Sequence, residues 1–215
     1  MEEINYINKF GYFEEIPEDF RKVFMWLCQD IASLKQKWET YLGLFSTTDA
    51  TDILSDSASG IFQMFEETLR NDITMLICRL SDPPETSGHK NLSMSFLLNE
   101  VGVNKEITHY FTRFEEACEG IRTIRHKNVG HNDLETRLKP IDNPLPNINR
   151  KHIDLTIYLA EQLLNKVVNI YCEVELNFSL SYRGGPDHLL GVLLRGINYT
   201  NWNETEHRIS QNDTE

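Results

Sequence analysis

The sequence predicts an all-α fold, an up-and-down bundle of four long helices with shorter accessory helices. Apolar residues recur at spacings of three and four over four long segments, which is the pattern of one buried helix face. Most prolines fall between these segments, and strand signals are nearly absent. We therefore expect one helical domain, residues 1–197, followed by a polar tail, residues 198–215.

The first two long helices are bounded by their flanking residues. The first begins at residues 16–19, where a proline followed by two acids suits a first helical turn, and its apolar face extends to Leu42. The second spans about residues 57–80. It has to end before Pro83, because proline cannot continue the hydrogen-bond ladder.

The second half of the chain repeats this organisation. A third long helix is expected at residues 104–129 with Gly130 at its end, and a fourth at residues 149–176. Between them lies a loop of roughly fifteen residues with three prolines, and loops of that length are more often functional than idle. Short helices are expected at residues 93–101 and 189–197.

The composition argues against several classes of protein. The four cysteines stand singly in apolar helical stretches without any C-x-x-C pair, so we expect reduced core residues. No signal peptide is recognisable, and the longest apolar runs are far below the roughly 20 residues that span a bilayer. We expect a soluble, cytoplasmic protein with no membrane partner. Neither a Gly-rich phosphate loop nor a metal-ligand spacing occurs, so we expect no cofactor and no metal.

The charge of the chain is unevenly distributed. The net charge is −12, which disfavours broad attraction to nucleic acid. Residues 122–152, however, contain seven Lys or Arg against three Asp or Glu, a local net charge of +4. This stretch, which we call the basic island, is either a chance fluctuation or the place where a phosphate-bearing partner binds.

The start of the basic island combines the side chains that cleavage of RNA without a metal requires. Such cleavage uses the 2′-hydroxyl as nucleophile, and it needs a base, an acid and a cation near the phosphorus. Histidine suits the proton transfers because its ordinary pKa lies near neutrality. Arginine suits the phosphate because its planar fork donates hydrogen bonds in pairs. Three strong cations and two imidazoles fall within ten residues here: Arg122, Arg125, His126, Lys127 and His131.

These residues resemble the signature of the HEPN ribonucleases. That signature is an arginine, a polar residue and, four to six positions after the arginine, a histidine, as in Arg125, His126 and His131. Residues 125–133 are similar to the run R-x-K-x-x-A-H-x-D of the abortive-infection U branch, with Gly130 in place of the alanine. The resemblance extends over about residues 16–195. It includes the Trp38, Tyr41, Leu44 and Phe45 helix end, the Arg79 to Pro83 turn and the Leu92-Ser93 restart.

The resemblance implies a helical bundle that forms a symmetric homodimer, with the two motifs meeting in one composite site. It implies a metal-independent endoribonuclease of a toxin–antitoxin or phage-defence system, with RNA as substrate and an antitoxin protein as a further partner. His131 would be the general acid and base, Arg125 would bind the phosphate, and His126 would orient them. Substrate contacts would come from Lys127, Arg122 and Asn128, and Asp133 would support an imidazole.

Two questions stay open at the level of sequence. Six residue steps separate Arg125 from His131, which places them about 120° apart on an ideal α-helix. They converge only if the helix bends or ends, or if they meet across a dimer. The cations could also serve only to complement the macrodipole at a helix C-terminus. The alternative function is therefore a non-catalytic helical module that binds RNA or a protein.

Overall fold

The computed structural model describes residues 15–102, 104–129, 133–139, 141–142, 144–179 and 184–212, apart from the side chains of Arg137 and of residues 202–212. The prediction of an all-α chain is confirmed, since the only strands in this part form one two-stranded ribbon. The elements are α1 (Glu18–Phe45), α2 (Thr48–Leu80), β1 (Glu85–Thr86), β2 (His89–Lys90), α3 (Met94–Val101), α4 (Lys105–Ile124), a π-helical turn (Arg125–Val129), α5 (Leu134–Leu138), α6 (Arg150–Val168) and α7 (Pro186–Asn212).

The described residues fall into two compact units. The first contains the chain through Lys35 and Asn71–Ser179, and the second contains Gln36–Arg70 and the chain after Ser179. The division falls within α1 and within α2, so each of these helices contributes a segment to both units.

The first unit has an apolar core supplied by five helices. Its fully buried side chains include Phe24, Leu27, Ile31, Ile77, Met94, Leu97, Phe114, Cys118, Leu163 and Leu164. Helices α4 and α6 run antiparallel through it. Glu106, at the start of α4, binds Lys166 near the end of α6 (Oε1–Nζ 2.8 Å). Near the opposite end, Nε2 of His152 lies 2.9 Å from the carbonyl oxygen of Ala117.

The second unit is organised by aromatic side chains and one close backbone approach. Rings of Trp38, Tyr41, Phe45 and Phe65 form a continuous series with centroid separations of 5.4 to 6.5 Å. A Cβ atom at Gly43 would lie 2.6 Å from the Cβ of Pro186, so only glycine lets α7 begin this close to α1. The packing within this unit therefore depends on one small residue.

The second long helix begins earlier than expected. Helical structure starts at Thr48 rather than near Ser57, and Ala58 interrupts it with extended backbone (φ −166°, ψ 69°). The hydroxyl of Thr47 accepts from the N–H of Ala50 (3.3 Å), which caps the additional segment. Leu54 is buried one turn later. The cap and two buried side chains, Ala50 and Leu54, stabilise this segment as a helix, although its polar composition did not predict one.

The fourth long helix ends earlier than expected, at Val168 rather than Leu176. Asn165 explains the difference, because its side-chain amide binds both backbone groups of Leu176. Its Oδ1 accepts from the Leu176 N–H (2.7 Å) and its Nδ2 donates to the Leu176 carbonyl (3.3 Å). These bonds bring Leu176 back beside Asn165 of α6, which a continuous helix could not allow.

Three further differences concern segments expected to be irregular. Residues 85–90 form the ribbon, in which Glu85 pairs with Lys90 around a turn whose Ser87 and Gly88 both have positive φ. The proline-containing loop is interrupted by α5. The last helix continues to Asn212 instead of ending at Ile197.

The described residues also bear on the expected lack of membrane spans and on the state of the cysteines. Within the described ranges, no helix has the length and apolar character needed to cross a bilayer. All four cysteines are free thiols, with Cys78 and Cys118 buried and the other two half-buried. Burial raises the pKa of Cys118 to about 12, so this thiol stays protonated at neutral pH.

Two leucines of α6 provide a matched test of the core. Leu164 is fully buried, whereas Leu155 is 40% exposed. We expect Leu164→Ala to lower the free energy of unfolding by about 2–5 kcal/mol, because it removes core contacts and leaves a cavity. Leu155→Ala should cost less than about 1 kcal/mol. Urea denaturation followed by circular dichroism measures both, and equal losses would contradict the assignment of the core.

Candidate functional site

Helix α4 carries the basic motif from the core to the surface. The side chain of Asn104 caps its start by accepting from the N–H of Ile107 (2.9 Å). An apolar stripe then anchors the helix, with Ile107, Phe114, Ala117, Cys118 and Ile121 buried. Because this stripe fixes the rotation of α4 about its axis, it also fixes the direction in which the residues after Ile121 leave the helix.

The α-helix ends at Ile124, and the next five residues form a π-helical turn. Helical structure thus extends to Val129 as expected, but its last five residues are π-helical. A π turn is closed by hydrogen bonds that span five residues rather than four, and such turns are rare and often occur at functional sites. The turn changes the rotation per residue, so an ideal α-helix does not describe how Arg125 and later residues are oriented.

Four of the predicted site residues lie together on this turn. Arg125, Lys127 and Asn128 are half-buried, and His126 is exposed. The guanidinium of Arg125 is close enough to the C-terminal end of α2 to act on Cys78. Burial raises the pKa of Cys78 to about 11, and the charge of Arg125 is the largest effect in the opposite direction.

The two cations of the π turn, Arg125 and Lys127, differ from other cations of the basic island in their contacts. Lys139 binds Glu135 (3.5 Å) and Arg150 binds Asp154 (3.6 Å). Within the described residues, neither Arg125 nor Lys127 takes part in an ion pair. Two half-buried cations close together are unfavourable unless an anion offsets them, so the turn is suited to receive one.

Asp133 holds the chain on the far side of the motif. Its N–H donates to the carbonyl of Lys127 (3.1 Å), and its Oδ1 accepts from the N–H of Thr136 (2.8 Å), which caps α5. The predicted catalytic residue His131 lies outside the described residues, together with Gly130 and Asn132. The bond from Asp133 to Lys127 thus joins the described residues on either side of His131.

Hydrogen bonding also keeps the Asp133 carboxylate ionised. Thr136 holds the pKa of Asp133 below its ordinary value, and the charges of Lys127 and His126 act in the same direction. The carboxylate is the predicted support for an imidazole. In the described residues its contact is with the start of α5.

Arg122 is held by the protein itself. Its Nη1 binds Oε2 of Glu115 (3.0 Å) and lies 3.4 Å from the carbonyl of Ser81, and its Nη2 donates to the carbonyl of Glu115 (3.2 Å). The bonds to Glu115 stay within α4, and the bond to Ser81 fastens the last part of α4 to the residue that follows α2. The substrate contact that we expect of Arg122 would require some of them to be exchanged.

Several residues that position the motif were not among those predicted from the sequence. Glu115 could have been found, because it lies two turns before Arg122 on the same face of α4. Gly120 permits the proline-containing loop to approach, since a Cβ atom there would lie 2.9 Å from Ile148 and 3.5 Å from Pro146. No sequence signal distinguishes this glycine from any other in a helix.

The comparison with protein families matches this arrangement to a known group. The family model described as AbiU2, a HEPN family, matches residues 18–188, which is most of the chain and includes the whole motif. The chain belongs to the HEPN AbiU2 family. Its resemblance to the HEPN superfamily and to the abortive-infection U branch is thereby confirmed. Searches among curated proteins and among solved structures found no match.

The capping role of Asp133 in this AbiU2-family chain is testable by amide hydrogen exchange. Asp133→Asn retains an acceptor for the Thr136 N–H and should preserve its protection, whereas Asp133→Ala should lose it. Because the pKa of Asp133 is lowered in the folded protein, its added stabilisation is present above the unfolded pKa and is lost as pH falls through the folded one.

The wild-type protection factor of Thr136, corrected for intrinsic exchange, should therefore fall in acid, and that of Asp133→Asn should depend less on pH. Equal protection in all three proteins would show that the cap does not hold α5.

Proposed function

We propose that this protein is a metal-independent endoribonuclease of HEPN type, acting in a toxin–antitoxin or phage-defence system. The observation that carries the proposal is a pair of half-buried cations, Arg125 and Lys127, on a π turn at the end of α4 in an AbiU2-family chain, neither of which forms an ion pair with any residue that the structure describes. An RNA phosphate would supply the missing anion.

The proposed reaction divides the chemistry among the motif residues. His131 removes the proton from a ribose 2′-hydroxyl, whose oxygen then forms a bond to phosphorus. The bond to the 5′-oxygen breaks, and that oxygen takes up a proton from a second imidazole, the twin His131 or His126. Arg125 binds the phosphate oxygens while charge accumulates on them. The products are a 2′,3′-cyclic phosphate and a free 5′-hydroxyl.

The remaining residues have supporting roles in this proposal. Lys127 and Asn128 contact the RNA backbone beside Arg125. Asp133, two residues after His131, is held at the π turn through its bond to Lys127 (3.1 Å). Arg122 joins the substrate contacts only if it releases Glu115, and otherwise it keeps α4 in place. An antitoxin protein would act by covering this surface.

A homodimer explains how Arg125 and His131 can act in one site. Arg125 and His131 are six steps apart in the chain, and in the proposed dimer each acts with the motif of the other protomer. The strongly acidic remainder of the chain would repel RNA elsewhere on the surface and leave the basic turn as the point of entry.

The decisive experiment is cleavage of a mixed RNA pool in EDTA. Wild-type protein should produce 2′,3′-cyclic phosphate ends. His131→Ala and Arg125→Ala should each be slower by a factor on the order of 10²–10⁴, because each removes a proton-transfer or phosphate-binding group. The matched control is His109→Ala, since His109 is an exposed histidine of the same helix that contacts Tyr110 and lies far from the motif.

Sedimentation has to show that the variants keep the association state of the wild type. DNA of the same sequence should remain intact, because it has no 2′-hydroxyl. Cleavage that survives His131→Ala, or that requires a divalent cation, would refute the proposal. Tight RNA binding without cleavage of any RNA in the pool would favour the non-catalytic binding module instead.

A further inference from the structure

Residues 172–179 lie outside any helix and have the side-chain exposure pattern of a β-strand after a turn at Glu173, where the Val174 N–H donates to the Cys172 carbonyl (3.0 Å). Cys172, Val174, Leu176 and Phe178 are buried or half-buried, and the four residues between them, Glu173, Glu175, Asn177 and Ser179, are exposed. Strict alternation of this kind indicates a strand with one covered face. The signal is present in the sequence, and the interpretation of this region as the end of a long helix missed it.

One edge of this segment is occupied and the other is open. Asn165 of α6 binds the N–H and the carbonyl of Leu176 at 2.7 and 3.3 Å. In an extended strand, consecutive residues direct their backbone groups to opposite edges. Glu175 and Asn177 therefore present theirs away from Asn165, and within the described chain the N–H groups of these two residues donate to no acceptor.

Open clefts lie beside the segment. One of about 470 Å³ lies between α6 and residues 173–175, and another of about 320 Å³ lies beside residues 175–178 and Lys35. Both are lined mainly by polar side chains. Asn165 lines both clefts, so they lie on the occupied side of the segment and leave its other edge uncovered by α6.

The clefts have an excess of negative charge. The two lysines that line them are paired, Lys35 with Glu161 (2.6 Å) and Lys166 with Glu106 (2.8 Å). Glu173 and Glu175 are exposed and form no ion pair with any described residue. A chain laid against the open edge would meet two carboxylates on the exposed face, about one strand repeat apart.

We propose that residues 172–179 are a docking edge for a partner protein, which adds an extended segment carrying Lys or Arg at alternate positions. Strand addition uses backbone hydrogen bonds for affinity and alternate side chains for selectivity. The carboxylates of Glu173 and Glu175 select the cations, and Asn165 keeps the edge presented. The proposal does not depend on ribonuclease chemistry.

A second copy of this chain fits the edge less well. Each copy carries a net charge of −12, which disfavours its approach to an acidic edge. The ion pair between Lys166 and Glu106 also locates the segment beside the start of α4, whereas the motif lies at the other end of that helix. Pairing of two copies here would leave the two motifs apart, so this edge remains available to a different partner.

Fluorescence anisotropy with the full chain tests the proposal. The probe is a labelled eight-residue peptide that alternates lysine with valine, and its counterpart carries glutamate in place of lysine. The lysine peptide should bind at least about tenfold more tightly. The double variant Glu173→Lys/Glu175→Lys should reverse the preference. Its matched control, Asp52→Lys/Glu67→Lys, makes the same charge change at exposed positions elsewhere and should retain the preference.

Backbone pairing is tested separately. Glu175→Pro removes an N–H that has no acceptor within the described chain, so it should weaken binding by about tenfold while the melting temperature stays close to that of the wild type. Binding of the lysine peptide should also protect the amides of Glu175 and Asn177 from hydrogen exchange. Protection at other residues, or the same preference in both charge variants, would overturn the proposal. Dissociation of a dimer by Glu175→Pro would overturn it in favour of self-pairing.

Discussion

The geometry of the candidate site depends on how α4 ends. Its buried stripe, with Phe114 and Cys118 fully covered, fixes the helix in the core of its unit. Arg122, oriented by Glu115 of the same helix, then joins its last turns to Ser81 at the end of α2. Beyond Ile124 the regular ladder gives way to the π turn, and Asp133 is bonded back to Lys127 of that turn. The residues on either side of the motif are therefore held by packing and hydrogen bonds that do not involve the charges of the motif.

The cations of the motif region have different roles. Their contacts distinguish these roles better than their spacing in the sequence does. Cations near a helix C-terminus complement the macrodipole, and this is sufficient reason for Arg122, which has a carboxylate partner as well. The macrodipole alone does not account for Arg125 and Lys127, which are half-buried and form no ion pair in the described chain. Membership of the HEPN AbiU2 family gives that surplus charge a proposed use, because a phosphate group would neutralise it.

The periodic parts of the fold could be predicted from sequence, and the parts decided by single tertiary hydrogen bonds could not. The apolar stripe from Phe20 to Leu42 predicted α1, and Pro83 predicted where α2 has to end. By contrast, the end of α6 was set by the bonds between Asn165 and Leu176, and α5 by the cap of Asp133. For the site, the sequence located the motif at the end of α4, but the π turn and the Glu115 clamp depend on packing that periodicity does not contain.

The most direct test of the central proposal, a composite site made by two motifs, is to mix two inactive variants. Arg125→Ala and His131→Ala proteins should each fail to cleave RNA, and allowing their subunits to exchange should restore cleavage in proportion to the heterodimers formed. Recovery is expected because a heterodimer combines an intact arginine from one protomer with an intact His131 from the other, while His126 of both protomers remains as the second imidazole. Heterodimers that form in good yield, shown by differently tagged subunits, and remain as inactive as either parent would contradict the account.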